Sequence, residues 1–267
     1  MSVASWGKTF IMLAMFSFVL FEPIIAQSAQ LFFDSFETDQ GWSGVEQIVK
    51  PDCYLAGIGE VARSTDVAFE GSYSLRVWAN KALSLKSNHL IAHKKLYSSG
   101  QTGRFRYQLY AYIAPETAAS GETGPEFSMQ NTREISPGQF RTTTAGIQYR
   151  ANPLSPLYRS WAVWAEVSSG QADWQTLTIT NAPLPGAWYI MAVEADYTIN
   201  RYVGFWLRGP GIDLSVDLSA YSIAQEVKFN EQAFELTLES ENLFNNCGTA
   251  GSFDYKIYYD NVTLEAE

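Results

Sequence analysis

The chain has 267 residues, of which 46% are hydrophobic and 15% are aromatic. It carries 28 Asp and Glu against 18 Lys and Arg, which gives a formal net charge of −10. Binding to nucleic acid or to an anionic membrane surface requires clustered Lys and Arg, so this charge balance argues against both partner classes. A neutral glycan and a bound cation both suit an acidic chain.

Residues 1–29 have the pattern of a secretory signal peptide. Lys8 is their only basic residue, and the apolar run 10–21 is too short to span a bilayer comfortably. Ala26 and Ala29 offer two cleavage points, between which the sequence does not choose. An uncleaved N-terminal anchor is the alternative. We therefore expect a secreted protein, extracellular or periplasmic, that has no membrane insertion after cleavage and consists of one domain over residues 30–267.

Short segments of alternating polarity, separated by turn residues, follow this leader with almost no helical period. In 104–113, for example, Phe105 and Tyr107 point to one face while Arg106 and Gln108 point to the other. Residues 43–65 are predicted to be irregular. The predicted strands are 31–36, 72–79, 89–96, 104–113, 126–131, 142–150, 160–167, 174–180, 188–197, 202–208, 212–218, 234–238 and 256–264. Such a succession predicts a single all-β sandwich or barrel.

Three of these stretches together resemble a known family. They are 33–37 followed by Gly41-Trp42, then 69–77 with its Phe-Glu-Gly-Ser-Tyr-Ser-Leu turn, and the last strand 256–264. In combination they resemble the opening and closing strands of the concanavalin A-like lectins and glucanases. The resemblance implies a jelly-roll β-sandwich of two antiparallel sheets with the first and last strands side by side. That pairing also protects sheet edges.

The resemblance further implies a structural calcium ion near the chain ends. In glycan-binding jelly rolls, the positions that match Glu37, Ser72 and Asp260 supply a side chain, a main-chain carbonyl and a side chain. Calcium prefers several such oxygen ligands. The alternative is that Asp260 only closes a strand and that Glu37 is solvated.

Cys53 and Cys247 are the only cysteines of the chain. An even count in an oxidising compartment favours a disulfide bond between them. Such a bond would tie the N-terminal region to the C-terminal region. Two separate buried thiols are the alternative.

The alternation in the central predicted strands places aromatic rings and planar polar groups on one side. Gln148 and Arg150, for example, share one face of their strand. A sheet that binds a glycan needs rings to stack on sugars and polar groups to pair with hydroxyls. We predict a concave sugar-binding face formed by Tyr110, Tyr112, Glu126, Gln130, Gln148, Arg150 and Trp164. Core or rim packing is the alternative for each tryptophan.

Catalytic patterns are incomplete. Laminarinase-type hydrolases carry paired carboxylates on one strand, but Glu126 is the only acidic residue of 126–130, and the pair Glu194 and Asp196 is expected to lie at the surface. Jelly-roll polysaccharide lyases use an Arg, a Gln, a His and a Tyr. The nominal matches are Arg106, Gln148, His89 or His93, and Tyr258. Tyr149 follows Gln148 where one lyase family has Gln-x-His.

The leading prediction is a secreted, monomeric and non-catalytic carbohydrate-binding protein, lectin-like, that recognises a polysaccharide. One alternative is a polysaccharide hydrolase or lyase with a non-standard site built on Glu126, His89 and Tyr258. Another is a structural or adhesive surface protein whose aromatic residues only fill the core.

Overall fold

The computed structural model describes residues 28–48, 58–81, 88–97, 101–115, 123–151, 157–228, 233–241 and 253–267. Within these ranges the chain forms strands and no helix. The described residues therefore contain no helix that could cross a membrane. Nearly all of the predicted signal peptide lies outside the described residues, as do Cys53 and Cys247. The cleavage and the disulfide bond therefore stay predictions.

The strands are β1 (Ala29–Asp34), β2 (Ser43–Ile48), β3 (Ile58–Ser64), β4 (Ser74–Lys81), β5 (Asn88–Tyr97), β6 (Arg104–Ile113), β7 (Thr123–Ser136), β8 (Gln139–Arg150), β9 (Ser160–Ser168), β10 (Gln171–Thr176), β11 (Trp188–Asp196), β12 (Arg201–Gly209), β13 (Ile212–Asp217), β14 (Ala224–Lys228), β15 (Ala233–Glu241) and β16 (Phe253–Ala266). The expectation that 43–65 is irregular was wrong, because β2 and β3 lie there. β14 was not predicted, and β10 begins before and ends before its predicted range.

The described strands form two eight-stranded sheets that pack as a sandwich. The back sheet has the order β13-β12-β11-β6-β16-β4-β3, with β1 also paired to β16. The front sheet has the order β10-β9-β8-β7-β15-β5-β2, with β14 also paired to β8. The pairs are antiparallel throughout, from β1 with β16 to β8 with β9.

The first and last strands lie side by side, as the sequence predicted. Phe32 pairs with Leu264 and Asp34 pairs with Val262. β16 is long enough to pair with β4 through its first half and with β1 through its second half. The register against β6 shifts after Asp260, where Asn261 has a φ of 43°. This bulge kinks β16 at the point where its partner changes.

Tyrosines of the back-sheet side cross the core to the front sheet. The Tyr107 hydroxyl donates to the Thr237 carbonyl at 3.2 Å and the Tyr259 hydroxyl donates to the Glu239 carbonyl at 2.7 Å. Tyr202 donates likewise to the Trp164 carbonyl at 2.7 Å. Burial raises the pKa of all three hydroxyls above the ordinary value, so they stay protonated and act as donors. These hydrogen bonds attach the core-facing side of β9 and β15 to the back sheet.

Glu194 differs from the expectation of a surface pair with Asp196. Its side chain is buried and forms an ion pair with Arg104, which also contacts Glu267 at 3.1 Å. Burial raises the pKa of Glu194, and the Arg104 charge opposes that effect. Asp196 instead accepts the backbone N–H of Thr198 at 2.8 Å and so closes the turn to β12.

Candidate functional site

The outward face of the front sheet carries a cavity of about 380 Å³, which we call the front groove. The inward residues of the same strands, such as Phe127 and Met129, fill the core, so the alternate residues face the groove. Seven strands contribute to the lining: β5, β7, β8, β9, β10, β14 and β15. The described lining residues are Ile91, Glu126, Ser128, Gln130, Thr144, Gly146, Trp164, Trp174, Glu226 and Glu239.

Two carboxylates lie side by side at the floor of the groove. Glu126 on β7 and Glu239 on β15 are direct cross-strand partners, and the two residues are only 6% and 4% exposed. Side chains of such partners share a sheet face, with Cβ atoms about 4.5–5.5 Å apart. The Gln148 amide, from the strand on the other side of β7, donates to Glu126 Oε2 at 2.7 Å. The floor therefore holds a carboxylate pair flanked by an amide.

A hydroxyl network continues from this pair along the groove. The Thr237 hydroxyl donates to Glu239 Oε1. The same hydroxyl lies 2.7 Å from the Ser128 hydroxyl, to which Gln130 Nε2 donates at 3.4 Å. Thr237 is fully buried, and Ser128 nearly so. Because each member orients the next, the polar groups of the floor have defined positions.

Trp164 and Trp174 form one wall of the groove. They are cross-strand partners on β9 and β10, with ring centroids 5.2 Å apart and planes inclined by 60°. Both rings are half-buried, which leaves part of each ring open to the groove. The carbonyl of Trp164 is held by Tyr202, as described above. The two rings also contact each other, so they can stack on sugar faces with little further loss of rotamer freedom.

Four of the predicted sugar-binding residues lie together here. Glu126, Gln130 and Trp164 line the groove, and Gln148 contacts Glu126. Arg150, two residues further along β8, donates to the Thr176 hydroxyl at 2.9 Å. Burial lowers the pKa of Arg150, while the charges of Asp173 and Glu126 oppose this shift.

Tyr110 and Tyr112 lie elsewhere, which corrects the prediction of one shared face. They belong to β6 of the back sheet and point outward from it. The Tyr110 ring is 3.9 Å from that of Phe69, and the Tyr112 ring is 5.3 Å from that of Trp188. The alternation of β6 gave the right faces, but pairing with β11 and β16 assigns the strand to the other sheet.

The nominal lyase set is divided in the same way. Tyr258 lies on β16 of the back sheet, where its hydroxyl donates to Asp66 at 3.1 Å. Arg106 is also on the back sheet, 4.5 Å from the Trp206 ring centroid. Gln148 and His93 belong to strands of the front sheet. The backbone of His89 pairs with Glu241 on β15, and its side chain lies outside the described part of the structure.

Glu239 and Trp174 were missed by the sequence analysis. Both occur in segments whose alternation was visible, but only the pairing of β15 with β7 and of β10 with β9 brings them to the groove. A search for two acids within one strand could not find a pair that is split between two strands.

The three residues predicted to hold calcium lie close together near the junction of β1, β4 and β16. Glu37 Oε1 accepts the backbone N–H groups of Ser72 and Tyr73 at 2.8 and 2.9 Å. Asp260 is buried, and burial raises its pKa. The nearby charge of Glu37 adds to the increase, although backbone hydrogen bonds oppose it.

Some of the oxygen atoms at this position could act as ligands of a hard cation. Asp260 Oδ2 accepts the N–H groups of Phe69 and Glu70 at 2.8 and 3.3 Å. The Asn261 side-chain oxygen is buried and has no hydrogen-bond partner within the described part of the chain. Among the described residues there is no group of three or more His, Cys, Asp or Glu side chains placed to hold a metal ion. A cation here would therefore depend on the two carboxylates together with carbonyl oxygens.

No protein-family model matches the sequence, and no curated protein matches it. Among solved structures, the chain is similar to an endo-β-1,4-glucuronan lyase from the fungus Trichoderma reesei, with 12% identity, a TM-score of 0.53 and coverage of 90% of this chain and 96% of the lyase. An alginate lyase from Aplysia kurodai matches at 11% identity and a TM-score of 0.49, over 78% of this chain and 87% of the lyase. Peanut lectin matches at 9% identity and a TM-score of 0.43, over 90% of this chain and 99% of the lectin. The chain has the concanavalin A-like jelly-roll fold, as the sequence predicted.

Proposed function

We propose that the protein is a secreted, lectin-like protein that binds a polysaccharide in the front groove. The observation that carries the proposal is the tryptophan pair Trp164 and Trp174 beside a floor of ordered polar groups. Sugar recognition combines these two features, since rings cover the apolar face of a sugar and planar amides or carboxylates pair with its hydroxyls. The glucuronan lyase, which shares the fold, acts on a polysaccharide, and this supports the same ligand class.

Glycoside hydrolysis is a second candidate, and the pairing of Glu126 with Glu239 favours it. Retaining glycosidases use two carboxyl groups about 5–5.5 Å apart, one as nucleophile and one as acid and base. Direct cross-strand partners have Cβ atoms separated by a similar distance. The Gln148 and Thr237 contacts hold the two carboxylates in defined but different surroundings.

Affinity electrophoresis in gels containing soluble polysaccharides tests the binding proposal. We expect retardation by at least one polysaccharide and loss of that retardation in Trp164→Ala. Trp206→Ala serves as the matched control, because Trp206 is a half-buried tryptophan of the back sheet. Absence of retardation by every polysaccharide, or equal retardation of both variants, contradicts the proposal.

Incubation with each bound polysaccharide distinguishes binding from catalysis. Binding alone predicts no new reducing ends. Hydrolysis produces reducing ends that disappear in Glu126→Gln and in Glu239→Gln, whereas a lyase also produces the ultraviolet absorbance of an unsaturated uronate.

We also propose a structural calcium ion held by Glu37, the Ser72 carbonyl and Asp260. The proximity of the two carboxylates and the unpaired oxygen of Asn261 support it. A ligand that binds only the folded state raises its stability. Addition of EDTA should therefore lower the melting temperature, and excess Ca²⁺ should restore it. An unshifted melting temperature, with no metal in the purified protein, would show that backbone amides alone satisfy these carboxylates.

A further inference from the structure

The front groove is acidic over its described length. It adjoins a second cavity of about 460 Å³, and the two share Glu226 as a lining residue. The carboxylates that line the two cavities are Glu126, Glu166, Glu226 and Glu239. Arg141, which lines the second cavity, is the single basic side chain among the described lining residues of the two cavities taken together. A ligand lying along this surface therefore meets an excess of negative charge.

The positive charge of Arg150 interacts with carboxylates of the protein itself. Arg150 lies at one end of the groove, where its guanidinium interacts with the charges of Asp173 and Glu126 and donates to Thr176. It is not among the residues that line the groove. Among the described residues that line the front groove, Glu126, Glu226 and Glu239 are acidic and none is Lys, Arg or His.

One buried polar atom in the groove has no hydrogen-bond partner among the described residues. The Thr144 hydroxyl lines the cavity, its residue is only 7% exposed, and the oxygen makes no hydrogen bond. It lies on β8 opposite Gln130. A hydroxyl can donate one hydrogen bond and accept two, and a buried hydroxyl without a partner is energetically costly. A ligand hydroxyl or amine at this point would satisfy it.

We propose that the front groove selects glycans that carry no carboxylate, and that it binds amino-sugar polymers with free ammonium groups more tightly than neutral ones. This inference rests on the proposed function. An ammonium group beside Glu226 or Glu239 forms charge-assisted hydrogen bonds. A uronate at the same position suffers like-charge repulsion from the lining carboxylates. The ligand class therefore differs from the glucuronan that the structurally similar fungal lyase degrades.

Three β-1,4-linked oligosaccharides of equal length test the effect of ligand charge on affinity. Oligomers of glucose, glucosamine and glucuronate share one backbone linkage and differ in the charge of each residue. Titration calorimetry of the purified protein should rank glucosamine above glucose and glucose above glucuronate. We expect a difference of at least about tenfold in Kd between the charged oligomers, since like-charge contacts are strongly unfavourable at interfaces. The preference should narrow as the salt concentration rises.

A double variant and a control variant, in which amides replace carboxylates, test whether the lining charges cause this preference. Glu166→Gln combined with Glu226→Gln removes two lining charges and leaves the floor network of Glu126 and Glu239 in place. This double variant should reduce the ratio of the glucuronate Kd to the glucosamine Kd by about tenfold. Asp213→Asn is the matched control, because Asp213 is a highly exposed acid of the back sheet paired with Arg208. The control should leave the ratio unchanged.

The outcomes distinguish a failure of the charge selection from a failure of the proposed polysaccharide binding. Glucuronate binding as tightly as glucose, or an unchanged ratio in the double variant, overturns the charge selection and leaves polysaccharide binding intact. Failure of all three oligomers to bind overturns the charge selection. Failure of every polysaccharide in the electrophoresis screen overturns the proposed function as well.

Discussion

Removal of the tryptophan wall is the perturbation with the clearest expected effect on binding. Trp164 and Trp174 are cross-strand partners whose ring centroids lie 5.2 Å apart. A sugar ring that covers roughly 60 Å² of apolar ring surface gains about 1.5 kcal/mol at ~25 cal/mol/Å². Truncation of one tryptophan to alanine should therefore weaken Kd about tenfold. If each ring contacts a separate sugar, the double variant should lose about a hundredfold.

The assay is titration calorimetry of wild type, both single variants and the double variant against a polysaccharide fragment that the wild type binds. The two singles and the double form a mutant cycle, which shows whether the rings act on one sugar or on two. Trp206→Ala controls for the loss of a half-buried tryptophan remote from the groove, and melting curves check that all variants fold. A double variant that binds within twofold of wild type would refute the assignment of the wall.

Three further predictions concern the framework of the site. Tyr259→Phe removes the 2.7 Å hydrogen bond to the Glu239 carbonyl. In urea titrations it should lower the free energy of unfolding by about 1 kcal/mol. An unchanged free energy would show that this hydrogen bond does not contribute to stability. Burial raises the pKa of Glu194, so its contribution is fully present below its unfolded-state pKa and is lost as pH rises through the folded-state pKa. The stability of wild type relative to Glu194→Gln should therefore fall as the pH rises above the ordinary glutamate value of 4.5 and through the raised folded-state pKa, and a rising difference would reverse the assigned sign. Thiol titration of the unfolded, unreduced protein should detect no free thiol if Cys53 and Cys247 are bonded, and two free thiols would contradict the disulfide.

Side-chain alternation predicted which residues face the core, because it depends only on the local geometry of a strand. Phe105, Tyr107 and Leu109 are buried, as the pattern in β6 indicated. Alternation says nothing about which sheet a strand joins, and for that reason Tyr110 and Tyr112 were assigned to the wrong sheet. The pairing of β1 with β16 was predicted because the resemblance to jelly rolls supplied long-range information.

Strands that depend on tertiary pairing were missed. β14 contains Ala224, Glu226 and Lys228, residue types that are depleted in strands, and it forms against β8. β2 and β3 occupy the edges of their sheets and contain Gly44 and Gly59, which weakened the local signal. The carboxylate pair was missed for the same reason, since the contact of Glu239 with β7 is a property of sheet order.

The central claim is that the outward face of the front sheet binds a polysaccharide. A glycan-array screen with Ca²⁺ present, run in parallel for wild type and for the double variant Trp164→Ala, Trp174→Ala, tests it most directly. The account predicts binding of wild type to at least one glycan and loss of that signal in the double variant. No signal for wild type on any glycan, or an equal signal from both proteins, would contradict the account and favour a structural or adhesive role for these aromatic residues.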